Sequence, residues 1–65
     1  MNIQLNGEAR VVTANTLAAL ITELELGGKR IAVELNGEIA PRSQHASIAL
    51  QENDHVEIVH AIGGG

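Results

Sequence analysis

Apolar and polar positions change their period several times along the chain, and each change marks an element. Ile3 and Leu5 alternate with Asn2, Gln4 and Asn6, and Glu8 to Thr13 follows with β-branched Val11, Val12 and Thr13. Asn6-Gly7 sits between these runs, and both residues tolerate the positive φ of a type I′ turn, so the chain opens with a predicted β-hairpin. From Thr16 the spacing lengthens. Leu17, Leu20, Ile21 and Leu24 fall at i, i+3, i+4 and i+7, one stripe along a helix of about two to three turns. Thr16, or alternatively Asn15, caps its start. Gly27-Gly28 is expected to end it, because glycine enters the left-handed cap without a Cβ penalty. Leu26 is expected to fold back over the stripe.

Alternation returns in Ile31, Val33 and Leu35, and Asn36-Gly37 predicts a second tight turn into Glu38-Ile39-Ala40. Pro41 has no N–H to donate and must stop the ladder or sit at an edge. Arg42 to Ala46 reads as irregular or as a single helical turn. Ile48 and Leu50 form a short alternation before the polar turn Gln51 to Asp54. There Asn53 takes the positive φ usually given to glycine, and Asp54 organises the turn. The last strand, His55 to His60, places Val56, Ile58 and His60 on one face and His55, Glu57 and Val59 on the other.

The order ββαβββ makes an α+β domain in which a mixed sheet of about five strands grasps one helix, the first and last strands being neighbours near the centre. With 65 residues, one domain spans 1–62, and Gly63-Gly64-Gly65 forms a tail.

Composition narrows the chemistry. The chain has no Cys, Phe, Trp or Tyr and a net charge of −4. Disulfides, thiolate metal sites and a cysteine nucleophile are excluded, and so are the aromatic platforms of single-strand nucleic-acid binders. The acidic balance opposes phosphate binding, so nucleic acid is not an expected partner. No apolar run approaches the ~20 residues of a membrane span, and the N-terminus has no leader pattern, so no membrane partner is expected and the chain is expected to be cytoplasmic. His45, His55 and His60 are expected at the surface or at edges rather than around a metal, and His55 and His60 fall on opposite strand faces. The carboxylates of the Glu23, Glu25, Glu52 and Asp54 segments read as solvated faces and turns.

The tail is the feature that the fold does not require. With Gly at about 7% of residues, three in succession at one specified place arise by chance in roughly three or four chains per ten thousand. One reading is a frayed terminus. The other is a thin thread, free of Cβ atoms, that passes through a narrow tunnel and presents the Gly65 α-carboxylate to another protein's active site. A carboxylate is a poor electrophile and needs activation, and the chain has no phosphate loop to bind ATP itself. Activation must come from a partner.

The stretches Val33-Glu34-Leu35-Asn36-Gly37-Glu38-Ile39-Ala40-Pro41-Arg42 and Val56-Glu57-Ile58-Val59-His60-Ala61-Ile62-Gly63-Gly64-Gly65 resemble the ThiS-type sulfur carriers of thiamin biosynthesis, small members of the ubiquitin-like β-grasp superfamily. The resemblance covers essentially the whole chain. It departs at Asn53-Asp54, where the family usually has Gly-Asp, and at Ser43-Gln44-His45, where an aromatic residue is common.

The resemblance implies a carrier rather than an enzyme, with no bound cofactor. An E1-like adenylating enzyme of the ThiF kind would activate Gly65 with Mg-ATP, and Gly63 and Gly64 would thread the tail. A persulfide donor, such as a cysteine desulfurase or a rhodanese-type protein, would convert the adenylate to a thiocarboxylate. A ThiG-like thiazole synthase would take the sulfur. Val59 and Ile62 are expected to point outward beside the glycines, as a partner contact or as packing at the sheet edge. Alternatives at this point are a molybdopterin-synthase small subunit, a ubiquitin-like modifier joined to lysines, and a passive interaction module.

Overall fold

The computed structural model describes residues 1–61. Strands β1 (Asn2–Leu5) and β2 (Glu8–Val11) are followed by helix α1 (Leu17–Glu23). Strands β3 (Ile31–Leu35) and β4 (Glu38–Ile39), a 3-10 helix (Arg42–Ser47) and strand β5 (His55–His60) complete the elements of the described residues. The sheet order is β2-β1-β5-β3-β4. β5 is central, parallel to β1 and antiparallel to β3, which makes this the expected mixed sheet around one helix.

Both Asn-Gly pairs turn as their sequence predicts, with φ of 50° and 83° at Asn6 and Gly7 and of 52° and 86° at Asn36 and Gly37. β2 ends at Val11, two residues before the β-branched run does. The Glu23 carboxylate explains this. It accepts from the N–H groups of Thr13 (3.1 Å) and Ala14 (2.9 Å), so these donors bond to α1 rather than to a strand. Val12 turns inward and is buried.

Thr16 caps α1 as expected, its Oγ1 accepting from Ala19 N–H at 3.1 Å. The helix does not run to Gly27-Gly28. It stops at Glu23, and Glu25 takes the left-handed conformation with φ of 60°. Leu26 N–H then donates to Ile21 O (2.9 Å) and Glu25 N–H to Thr22 O (3.0 Å), the reciprocal pair of a Schellman motif. The reason for the early stop is Leu26. A left-handed residue at position 25 brings its side chain back against the core, where it packs beside Ile21 and Leu24, and this offsets the modest cost of a non-glycine there.

Ile3, Val12, Leu17, Leu20, Val33 and Val56 are fully buried between the sheet and α1. The Ile48–Leu50 segment makes a single bridge, Thr16 to Ala49, rather than a strand. Ala40 donates one last bond to Val33 O (2.8 Å) before Pro41 leads into the 3-10 helix.

Candidate functional site

β5 is the last strand before the glycines in sequence, and its pairing can be followed as far as Ala61. β3 pairs along it from Leu35–Val56 to Ile31–His60, and Ala61 N–H still donates to Arg30 O at 2.9 Å. On the other side β1 pairs only Gln4 and Leu5 with His55 and Val56 before the chain turns away. Ile58 is left facing a turn, and the Asn6 side chain replaces the missing strand. Its Oδ1 accepts from Ile58 N–H at 2.8 Å and its Nδ2 donates to Ile58 O at 3.2 Å. Asn36 performs a related service at the start of β5, accepting from His55 N–H (2.9 Å) and donating to Asp54 Oδ1 (3.0 Å). Asp54 Oδ2 in turn accepts from Gln51 N–H (2.8 Å), and Asn53 has a φ of 70°, as expected of that turn.

The strand pleat sends His55, Glu57 and Val59 to the outer face. Register places Ala32 opposite Val59, Glu34 opposite Glu57, and Ile39 opposite Glu34. Val59 is 59% and Ile39 67% exposed. Val59 therefore points outward as expected, whereas Ile62, Gly63, Gly64 and Gly65 lie outside the described residues.

Glu34 and Glu57 are like charges directly opposed across two strands, an arrangement that destabilises a sheet. The side-chain bonds that organise the fold use other carboxylates. Glu23 accepts from Thr13 Oγ1 (2.8 Å) and Glu52 from Asn2 Nδ2 (2.8 Å). Both are held below the ordinary carboxylate range, Glu23 first by its Thr13 hydroxyl bond and Glu52 first by the Asn2 amide. The outer face thus combines apolar side chains with an uncompensated pair of negative charges, which suits a partner surface bearing aliphatic and cationic groups.

His45 corrects an expectation. It is not a surface residue but 6% exposed, and its Nε2 lies 2.8 Å from Ala40 O. It lies in the 3-10 helix that follows Pro41 and is the buried residue of that element. His55 and His60 are exposed, and the described residues contain no group of three or more His, Cys, Asp or Glu able to hold a metal. Sequence reading missed His45, Asn6 and Asn36 as structural groups. An Asn-Gly turn signals its own backbone but not which strand its side chain will meet.

The sequence profile of the ThiS family matches residues 3–65. The chain is 34% identical to the sulfur carrier protein ThiS of Bacillus subtilis, covering 97% of this chain and 98% of that one. It is 44% identical to a thiazole synthase of Paramagnetospirillum magneticum, where the match covers all of this chain but only 20% of that protein. The crystal structure of the thiamine biosynthesis protein ThiS from Geobacter metallireducens superposes with a TM-score of 0.86 at 29% identity, covering all of both chains. Sequence and fold agree, and the chain belongs to the ThiS family of ubiquitin-like sulfur carriers.

Proposed function

We propose that this chain is a cytoplasmic sulfur carrier of thiamin biosynthesis that acts as a protein cosubstrate, with the chemistry at the Gly65 carboxylate. The observation that carries the reading is the family match over residues 3–65, which includes the terminal glycines. They follow a central strand bonded on both sides. An E1-like enzyme of the ThiF kind joins the carboxylate to AMP, consuming Mg-ATP and releasing pyrophosphate. The mixed anhydride is then open to attack by the terminal sulfur of a persulfide, and AMP leaves. A second thiol attacks the donor's sulfur in the resulting acyl disulfide, forming a disulfide with the donor as the acyl-side S–S bond breaks and leaving the thiocarboxylate on Gly65.

The outer face around Val59, with Ile62, docks the adenylating enzyme, and Gly63-Gly64 pass through its tunnel because they carry no side chain. Relatives in which this domain occupies 20% of a longer thiazole synthase support such a synthase as the sulfur acceptor. No helix among the described residues is long and apolar enough to cross a membrane.

Intact-mass measurement tests the reading. The native protein from cells should end at a free Gly65. Incubation with the adenylating enzyme, Mg-ATP, cysteine and a desulfurase should add the mass of one oxygen-to-sulfur exchange, absent from a chain lacking Gly65. Adducts on target lysines instead would identify a modifier. An unchanged mass with an enzyme active on another carrier would refute sulfur loading.

A further inference from the structure

A groove of about 320 Å³ lies between α1 and the 3-10 helix, away from the outer sheet face. Ala18, Ile21, Leu26, Gly27, Ile31 and His45 line it, with Arg42 at its rim. Three independent features distinguish it from an ordinary surface furrow.

The first is Gly27. Its φ is not left-handed, and a Cβ built there meets no atom within 4 Å. Neither backbone conformation nor crowding within the described fold requires glycine at this place. What the missing side chain preserves is room in the groove.

The second is His45. Ala40 O is only an acceptor, so Nε2 must donate to it, and Nδ1 is the acceptor in that tautomer. Nδ1 has no hydrogen-bond partner among the described residues. No described side-chain nitrogen or oxygen is both sealed from solvent and unpartnered, so Nδ1 is not sealed off. His45 is 6% exposed and lines this groove, which makes the groove the place where a partner could reach Nδ1.

The third is charge. Of the four cationic residues in a chain of net charge −4, three are Lys29, Arg30 and Arg42. Arg42 Nη2 donates to Lys29 O at 2.6 Å, which ties the rim together, and Arg30 O holds Ala61 at the base of the tail. An acidic segment is repelled by the protein's net charge and by Glu34 and Glu57 on the outer face, and attracted here.

We infer that this groove is a second docking site, for a partner segment that presents an aliphatic side chain flanked by carboxylates. The aliphatic group enters beside Gly27, a main-chain N–H of the segment donates to His45 Nδ1, and the carboxylates meet Arg42 and Lys29. The two faces then select partners of opposite charge, and both can be engaged at once. This site does not depend on the tail chemistry.

The test is a titration of the ¹⁵N-labelled full chain with the peptide acetyl-Asp-Glu-Leu-Asp-Glu-amide, with Ser-for-Leu and all-Lys versions as controls. Saturable amide shifts are expected at Ala18, Gly27, Gly28 and Ala46 but not at Glu57 or Val59, and neither control should reproduce them. Gly27→Leu, which fills the groove, and Lys29→Glu, which reverses a charge but keeps the main-chain carbonyl used by Arg42, should each weaken binding about tenfold. Deleting Gly65 should leave binding unchanged. Shifts spread over the outer face, wild-type affinity in folded Gly27→Leu, or no saturation up to the solubility limit of the peptide would each overturn the proposal.

Discussion

The two faces of the sheet are made from the same strands yet are held to different standards. Facing α1, β5 contributes Val56 and Ile58 to a close-packed interior, where a lost methylene is felt as a cavity. Facing outward, one residue away, it presents Glu57 and Val59, both exposed. Strand alternation lets stability and recognition vary separately on one short segment. Substitutions should therefore sort by face rather than by sequence position.

The largest effect is expected inside. Leu20→Ala should cost about 2–5 kcal/mol in chemical denaturation, because α1 cannot collapse onto the rigid sheet to close the cavity. Asn6→Ala comes next. It leaves Ile58 N–H and C=O without their partner and should cost about 1–3 kcal/mol, with faster amide exchange at Ile58. A loss confined to the Asn6 turn, with Ile58 still protected, would show that the Asn6 side chain is not what shields this amide from water.

On the outer face, Val59→Ser should change stability by no more than about 1 kcal/mol, while affinity for the proposed adenylating partner should fall about tenfold. Equal affinity would remove Val59 from the docking surface. Glu57→Gln should sharpen the contrast, raising stability by about 0.2–1 kcal/mol as the repulsion with Glu34 ends. It should also slow association with a cationic partner.

Acid provides a last and gentler probe. The folded-state pKa of Glu23 lies below its ordinary value of 4.5, so its contribution is present above that value and lost as pH falls through the lower one. Glu23→Gln should be less stable than wild type at neutral pH. The gap in thermal midpoint should close at low pH, and a gap independent of pH would assign the effect to packing.

Much of this was legible in the sequence because the signals are local. Asn6-Gly7 and Asn36-Gly37 name their turns through backbone freedom, the Leu17-Leu20-Ile21-Leu24 stripe names a helix through its period, and Thr16 names its start through a side chain that reaches three residues on. The alternation of β5 also fixed Val59 as outward. These depend on residues close in the chain, where geometry leaves few choices.

The features that escaped are those settled by groups distant in sequence. Whether α1 stopped at Glu23 or ran to Gly27 was decided by the core, which drew Leu26 inward. His45 is buried because Ala40 O offers its imidazole a partner. Asn6 reaches a strand fifty-two residues away. The sequence determined which elements exist, the apolar face of each, and the terminal glycines on which the proposed function rests. Only the tertiary structure decided which polar side chains the fold consumes and which it leaves facing outward, because a hydrogen bond or a buried contact depends on the atoms that packing brings within reach.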